Sequence, residues 1–239
     1  MKENFVLSDK IQNSIIIHIP HSGLKIPKNN FTNEVLLQED VFESTDWNTD
    51  EIFKCDLTTI KTNLSRIYVD FERFEEDDMD KFGRGFYYIN NVDGILFRDS
   101  SEKENVLQIF KKYHNDFDVL VDEKIKENGF CTIIDCHSFN EEKLSFESDL
   151  QRPEICIGTN EFHTPKWLIE KTIDFFKNEG FEVLENSPYS GTFVSQKHYK
   201  KDERVFSIMI EINKKLYLNK KENIPILNRV FKRYIENLY

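Results

Sequence analysis

Long apolar runs and basic clusters are both missing from this 239-residue sequence, and each absence excludes a class of protein. The longest apolar run, residues 15–19, is interrupted by His18 and is far shorter than the roughly 20 residues that a membrane span needs. Acidic residues outnumber basic ones by 43 to 32, and acids lie close to every group of lysines and arginines. We therefore expect neither a membrane protein nor a nucleic-acid-binding protein.

Signals for export, for paired thiols and for phosphate loops are missing as well. The first ten residues, MKENFVLSDK, lack the apolar stretch and the cleavage site of a signal peptide, which predicts a cytoplasmic protein. No CxxC pair, GxxxxGK[ST] loop, GxGxxG loop or GxSxG elbow occurs. We therefore expect free, mostly buried thiols at the four cysteines, which are Cys55, Cys131, Cys136 and Cys156.

Short β-branched runs alternate with longer segments of helical period along the chain. With 39% hydrophobic residues, the chain has enough apolar surface to form a core. The alternation predicts an α/β fold, a three-layer αβα arrangement around a mainly parallel sheet, in a single domain over residues 1–239. Strands are predicted at Ser14–Ile19, Leu57–Ile60, Ile67–Val69, Phe130–Asp135, Ile155–Gly158, Phe181–Leu184 and Phe206–Ile212.

The helical segments differ in the strength of their signals. The clearest is residues 101–128, where apolar residues recur at steps of three and four and Gly129 follows as a stop. The other predicted helices are Glu51–Lys54, Thr164–Asn178 and Asn223–Leu238. Two long polar segments, Glu72–Arg98 and Ser138–Glu154, have no period and are expected to be either functional or mobile loops.

Two histidines follow apolar runs that are predicted to be strands. His21 follows the apolar run IIIHIP and precedes Ser22 and Gly23. His137 follows Ile133 and Ile134 in the segment TIIDCHS. If these strands are parallel neighbours, both histidines lie at the carboxyl edge of the sheet, where open α/β sheets bind ligands. Neutral imidazoles are common zinc ligands, and one carboxylate would complete a catalytic set of two histidines and an acid.

Acidic residues in two segments are candidates for the chemistry of such a site. Asp46 and Asp50 are the nearest candidates for the third metal ligand, and a helix N-cap is the alternative role for Asp46. Glu211 lies among apolar residues in IMIEI, where burial would raise the pKa of its carboxyl group. Glu211 is therefore either a general base or a partner in a structural salt bridge.

Seven motifs in order resemble the N-formylglutamate amidohydrolase family. They are PHSG, STDWNTDEIF, SRIYVDFERF, YHNDF, IIDCHSF, ENSPYSG and IEINKKLYL, and they span roughly residues 15–218. The family is similar in fold to zinc carboxypeptidases and aspartoacylase. The resemblance implies a mixed sheet, one Zn²⁺ per chain, and hydrolysis of a small-molecule N-acyl amino acid such as N-formylglutamate by metal-activated water.

The resemblance also implies roles for individual residues. The metal ligands would be His21 and His137, with Asp46 as the preferred acid and Asp50 as its alternative, because position 24 is a leucine. Glu211 would be the general base. Arg66 would polarise the scissile carbonyl and Arg73 would bind the substrate carboxylate, and Asn186 and Tyr189 would contact the substrate.

Two departures from the family leave the substrate open. Glu72 precedes Arg73 where an asparagine is usual, so it would pair with Arg73 or select against dianionic substrates, and Lys214 replaces an arginine. Two alternative functions remain: a zinc carboxypeptidase-like enzyme acting on short or cell-wall peptides, and a metal-free binding protein with the same fold. The sequence leaves open whether the protein is a monomer or a small homo-oligomer.

Overall fold

The computed structural model describes residues 4–8, 13–27, 31–143 and 150–239, and its centre is a seven-stranded sheet. The strands are β1 Phe5–Leu7, β2 Ile15–Ile19, β3 Thr59–Thr62, β4 Cys131–Phe139, β5 Ile155–Gly158, β6 Val183–Glu185 and β7 Val205–Asn213. The α-helices are α1 Glu34–Ser44, α2 Thr49–Ile52, α3 Lys103–Asn128, α4 Lys166–Asn178 and α5 Ile224–Glu236. Short 3-10 turns lie at Asp78–Phe82, Lys214–Leu216 and Lys221–Asn223.

The sheet is mixed and mainly parallel, as predicted. Its strand order is β1-β3-β2-β4-β7-β5-β6. The central strands β3, β2, β4 and β7 pair in parallel, β1 pairs antiparallel with β3, and β5 pairs antiparallel with β7. Because β2 and β4 are parallel neighbours, the carboxyl ends that precede His21 and contain His137 lie side by side.

Helices cover both faces of the sheet, which confirms the three-layer αβα prediction. Helix α3 packs its apolar stripe, including Phe110 and Phe117, against Ile16 and Ile133 on one face. Helices α4 and α5 pack against Ile134 and other residues of the opposite side, and α2 joins them there. Since successive strand residues point to opposite faces, Asp135 and His137 lie on the α3 face together with Ile133.

Some predicted elements differ from the structure. Residues 67–69 do not form a strand. The chain turns at residues 66–68, because the Ser65 carbonyl accepts hydrogen bonds from the backbone N–H groups of Tyr68 and Val69. Strand β1 and helix α1 were not predicted. Within the predicted loop Ser138–Glu154, residues 144–149 lie outside the described residues.

The cysteines agree with the sequence analysis. All four cysteines are free; Cys131, Cys136 and Cys156 are buried, and Cys55 is partly exposed. None of the helices in the described ranges is both long enough and apolar enough to cross a membrane.

Candidate active site

The two strand-end histidines come together, as the sequence analysis predicted. Their ring centroids lie 5.0 Å apart, and both side chains are buried. The chain bends at His21 after β2 and then passes close to the segment after β3. Gly23 allows this approach because a Cβ there would lie 2.4 Å from the Leu64 carbonyl oxygen. The His21 carbonyl accepts a hydrogen bond from the Asp46 backbone N–H, which brings the α1–α2 connection to the same place.

Asp46 lies on the Nδ1 side of both histidines. Its Oδ2 atom is 3.0 Å from His137 Nδ1 and 3.7 Å from His21 Nδ1. Burial would raise the pKa of Asp46, but the two imidazoles hold it well below its usual range. His21 Nδ1 is buried and has no hydrogen-bond partner. The Asp46 side chain caps no helix: α2 begins after Asn48, and Asp46 contributes only its carbonyl, to Thr49.

Other buried carboxylates bind the opposite, Nε2 side of each ring. Asp70 Oδ1 lies 2.9 Å from His21 Nε2, and Asp135 Oδ1 lies 3.0 Å from His137 Nε2. Asp135 also contacts His18 Nδ1 at 2.9 Å and accepts from the Phe193 backbone N–H. A carboxylate on the far nitrogen of an imidazole fixes the ring and its tautomer, as is common for metal-binding histidines.

Glu72 also lies on the Nε2 side, which the sequence analysis did not predict. One carboxylate oxygen is 2.9 Å from His137 Nε2, and the other is 3.4 Å from His21 Nε2. His21, Glu72 and His137 form a group that could hold a metal ion, and Glu72 also forms such a group with His18 and Asp135. Among the described residues, Glu72 forms no ion pair with Arg73, so it does not take the first of its two predicted roles.

Arg66 and Arg73 converge on one carboxylate rather than flanking a strand. Arg66 donates to Asp70 Oδ2 at 2.7 Å, and Arg73 Nε lies 3.5 Å from the same oxygen. Tyr88 also donates to this oxygen at 2.6 Å. Burial alone would raise the pKa of Asp70, but Arg66 and His21 hold it well below its usual range. The anchored guanidinium groups line the cavity in front of the histidines.

Glu211 lies next to His137 across the sheet. The two residues are register partners on β7 and β4, so their side chains point to the same face. Burial raises the pKa of Glu211 to about 8, although the nearby His137 opposes this shift. Its Oε2 atom is buried and has no hydrogen-bond partner. A carboxyl group with such a pKa exchanges a proton near neutral pH.

A cavity of about 230 Å³ joins these groups, and it includes most but not all of the predicted residues. Tyr189 lines it. Asn186, in the loop after β6, does not line it, because its side-chain amide forms hydrogen bonds with the backbone N–H and the hydroxyl of Thr159. Asp50 is also outside the cavity, since its carboxylate contacts Lys61 at 2.7 Å. The structure therefore brings Asp46, and not Asp50, together with the histidines.

Two further cations line the cavity and were not assigned to the site from the sequence. Arg84 comes from the loop before α3 and is anchored by Asp40 at 3.0 Å. Lys214 follows β7, and its ammonium group donates to the Asn140 side chain at 2.6 Å. The position of Lys214 directly after the strand that ends in IEIN was the sequence feature that could have predicted its place in the site. Burial lowers the pKa of Lys214.

Fold and cavity together define an αβα protein with a histidine-centred site at the carboxyl edge of its central strands. The chain belongs to the N-formylglutamate amidohydrolase family, whose model matches residues 13–218. It is therefore a member of a hydrolase family that acts on amides. Among curated proteins, no significant match was found.

Two solved structures have a similar fold. The first is N-formylglutamate amidohydrolase from Ralstonia eutropha JMP134, with 17% identity and a TM-score of 0.81, covering 97% of this chain and 95% of that one. The second is the gene product Atu2144 of Agrobacterium tumefaciens, with 16% identity and a TM-score of 0.64, covering 99% and 96% of the two chains. At these identities, the likeness concerns the fold alone.

Proposed function

We propose that this protein is a zinc-dependent amidohydrolase that cleaves an N-formyl or related N-acyl amino acid, such as N-formylglutamate, into the amino acid and a carboxylate. The observation that carries the proposal is the convergence of His21, Asp46 and His137 beside Glu211, in a chain of the amidohydrolase family. Two histidines and one acid, with a position left for water, are the usual ligands of a catalytic zinc ion.

The unpaired atoms of the site favour the Nδ1 side for the metal. His21 Nδ1 is buried without a hydrogen bond, and Asp46 offers its carboxylate between the two Nδ1 atoms. The Nε2 atoms already contact Asp70 and Asp135, so a metal at Glu72 would have to replace those contacts. We therefore assign His21, Asp46 and His137 as the ligands of one zinc ion per chain.

Glu211 is suited to move a proton during hydrolysis. A zinc ion bound here would act as a Lewis acid and lower the pKa of water. Glu211, whose Oε2 is unpaired, would accept the proton of the attacking water and return it to the leaving nitrogen. Its pKa of about 8 without metal would be lowered by a nearby cation, which favours the ionised, base form at neutral pH.

The guanidinium groups supply the remaining charges. Arg66 is held by Asp70 and Tyr88, so its charge is fixed where negative charge would develop on the carbonyl oxygen. Arg73, bound less closely to Asp70, would form a bidentate contact with the substrate carboxylate. Lys214 would add a second positive charge for a dicarboxylic amino acid such as glutamate.

The cavity argues against the two alternative functions. Its volume of about 230 Å³ suits a small acyl amino acid better than a short peptide or a cell-wall peptide. A binding protein that had lost its metal would have no need to keep a buried, unpaired Glu211 next to buried histidines, because such groups are costly without a function.

Metal content and activity, measured on the same samples, test this proposal. We expect about one zinc ion per chain in the wild type and formation of glutamate from N-formylglutamate. His137→Ala should lose both the metal and the activity, whereas the exposed substitution Glu236→Gln should keep both. A wild-type protein that stays metal-free after incubation with zinc would refute the proposal.

A further inference from the structure

A second cavity of about 280 Å³ opens directly beside the first. The two cavities share four lining residues, which are Glu72, Arg73, Ser190 and Met209. Arg73 therefore stands at the boundary, and a substrate bound next to the histidines could extend past it into the second cavity. The proposed function, which needs only a small acyl group, leaves this space without a role.

Aromatic and neutral groups dominate the far wall of the second cavity. Phe74 and Tyr199 line it as a ring pair with centroids 5.3 Å apart, and Phe193 lies deeper. His114 lines it too; it is 4% exposed, and neither ring nitrogen has a hydrogen-bond partner. Burial lowers the pKa of His114 to about 3, so its ring is neutral. Such walls favour a flat, uncharged ring.

The two cavities differ in their balance of charged side chains. The first contains four cations, which are Arg66, Arg84, Lys214 and the shared Arg73, and four carboxylates, which are Glu43, Asp46, Glu211 and the shared Glu72. Arg73 is the sole lysine or arginine among the described residues that line the second, which also contains the carboxylates of Glu72, Asp77 and Asp135. A substrate carboxylate is therefore favoured in the first cavity and disfavoured in the second.

We propose that the second cavity is an acyl subsite, and that the enzyme hydrolyses N-acyl amino acids whose acyl group carries a neutral aromatic ring. This inference rests on the proposed function. In the reaction, the amide C–N bond breaks, the oxygen of water joins the carbonyl carbon, and a proton goes to the leaving nitrogen. The products are an arylcarboxylic or arylacetic acid and the free amino acid.

Three substrates that differ in the acyl group alone test the subsite. They are N-formyl-, N-phenylacetyl- and N-succinyl-L-glutamate, each measured with the zinc-loaded full chain. We expect kcat/KM for the phenylacetyl compound to be at least one tenth of the formyl value, and about tenfold or more above the succinyl value, whose extra carboxylate would meet three acids.

A filling variant locates the effect in the second cavity. Gln196 lines that cavity and not the first, so Gln196→Trp should lower the ratio of phenylacetyl to formyl kcat/KM about tenfold or more. Lys201→Trp adds the same ring to an exposed site in the same segment and should leave the ratio unchanged. If Gln196→Trp does not fold, Phe74→Ala tests the subsite instead, and it should lower the ratio of phenylacetyl to formyl kcat/KM about fivefold.

The outcomes separate the two proposals. If the formyl compound is cleaved but kcat/KM for the phenylacetyl compound is less than one tenth of the formyl value, the subsite is overturned and the proposed function stands. A ratio that neither Gln196→Trp nor Phe74→Ala lowers also overturns it. Cleavage of the phenylacetyl compound alone supports the subsite and changes the substrate of the proposed function, whereas hydrolysis of neither compound overturns both.

Discussion

The two sides of the histidine pair contain the same kinds of residue but differ in how completely their polar atoms are paired. On the Nε2 side, Asp70 and Asp135 lie about hydrogen-bond distance from the rings, at 2.9 and 3.0 Å. On the Nδ1 side, Asp46 lies 3.0 Å from His137 Nδ1, but His21 Nδ1 has no hydrogen-bond partner. Glu211 Oε2, on the strand next to His137, has none either. Because a buried unpaired polar atom costs free energy, the proposed function gives the more fully paired side the role of orienting the rings and the other side the role of binding the metal.

The largest expected effect comes from removing the acid on the Nδ1 side. Asp46→Asn should abolish stoichiometric zinc binding and reduce activity by about 10³-fold or more, because the carboxylate between the two Nδ1 atoms is lost. Asp50→Asn is the matched control, since Asp50 contacts Lys61 outside the cavity. Elemental analysis and amine release measure the two effects. Equal metal loss in both variants would contradict the assignment.

A second prediction separates proton transfer from metal binding. Glu211→Gln should lower kcat by about 10²- to 10⁴-fold while the zinc content stays near that of the wild type, because Glu211 is proposed to move a proton and not to bind the metal. Single-turnover kinetics and elemental analysis on the same sample measure both quantities. Loss of zinc together with activity would show that Glu211 is a ligand.

An intermediate loss of zinc affinity is expected from a substitution on the Nε2 side of the histidines. Asp135→Asn should weaken zinc affinity about 10- to 100-fold without abolishing it, because in the proposed site Asp135 contacts the His137 nitrogen opposite the one that binds the metal. Competition with a chelator measures the affinity. A loss of binding as complete as that of Asp46→Asn would show that the two sides do not differ in role.

The sequence was sufficient to predict the centre of the fold and the convergence of the two histidines, for physical reasons. Strands β2, β4 and β7 are buried apolar runs, and parallel pairing brings His21, His137 and Glu211 to one place. Spacing alone placed Asp46 and Asp50 equally near; the contact of the Asp46 backbone N–H with the His21 carbonyl separates them. That contact joins residues 25 positions apart and has no local signal.

The elements that were not predicted have weak local patterns. Helix α1 exposes Val35 and Phe42, so its apolar residues do not form one stripe, although Asn33 caps it. The apolar residues 67–69 resembled a strand, but they are buried by packing with distant parts of the chain: Ile67 lies in a cluster with Tyr88 and Phe97, and the other two lie in the cluster that contains α3. The place of Glu72 was missed for a related reason: it depends on the turn geometry and on contacts with distant histidines.

The smallest effect is expected from Glu72, and this prediction tests the comparison most closely. Glu72 touches both Nε2 atoms, and with His21 and His137 it forms the competing candidate metal group. If the Nδ1 side holds the metal, Glu72→Gln keeps a side chain of the same size and should change zinc content little and activity less than about tenfold, as expected for a residue that only supports ring orientation. If the metal binds on the Nε2 side, the same substitution removes a ligand and the zinc is lost while Asp46→Asn retains it. Elemental analysis of the two variants side by side therefore decides which face of the histidine pair is the metal site.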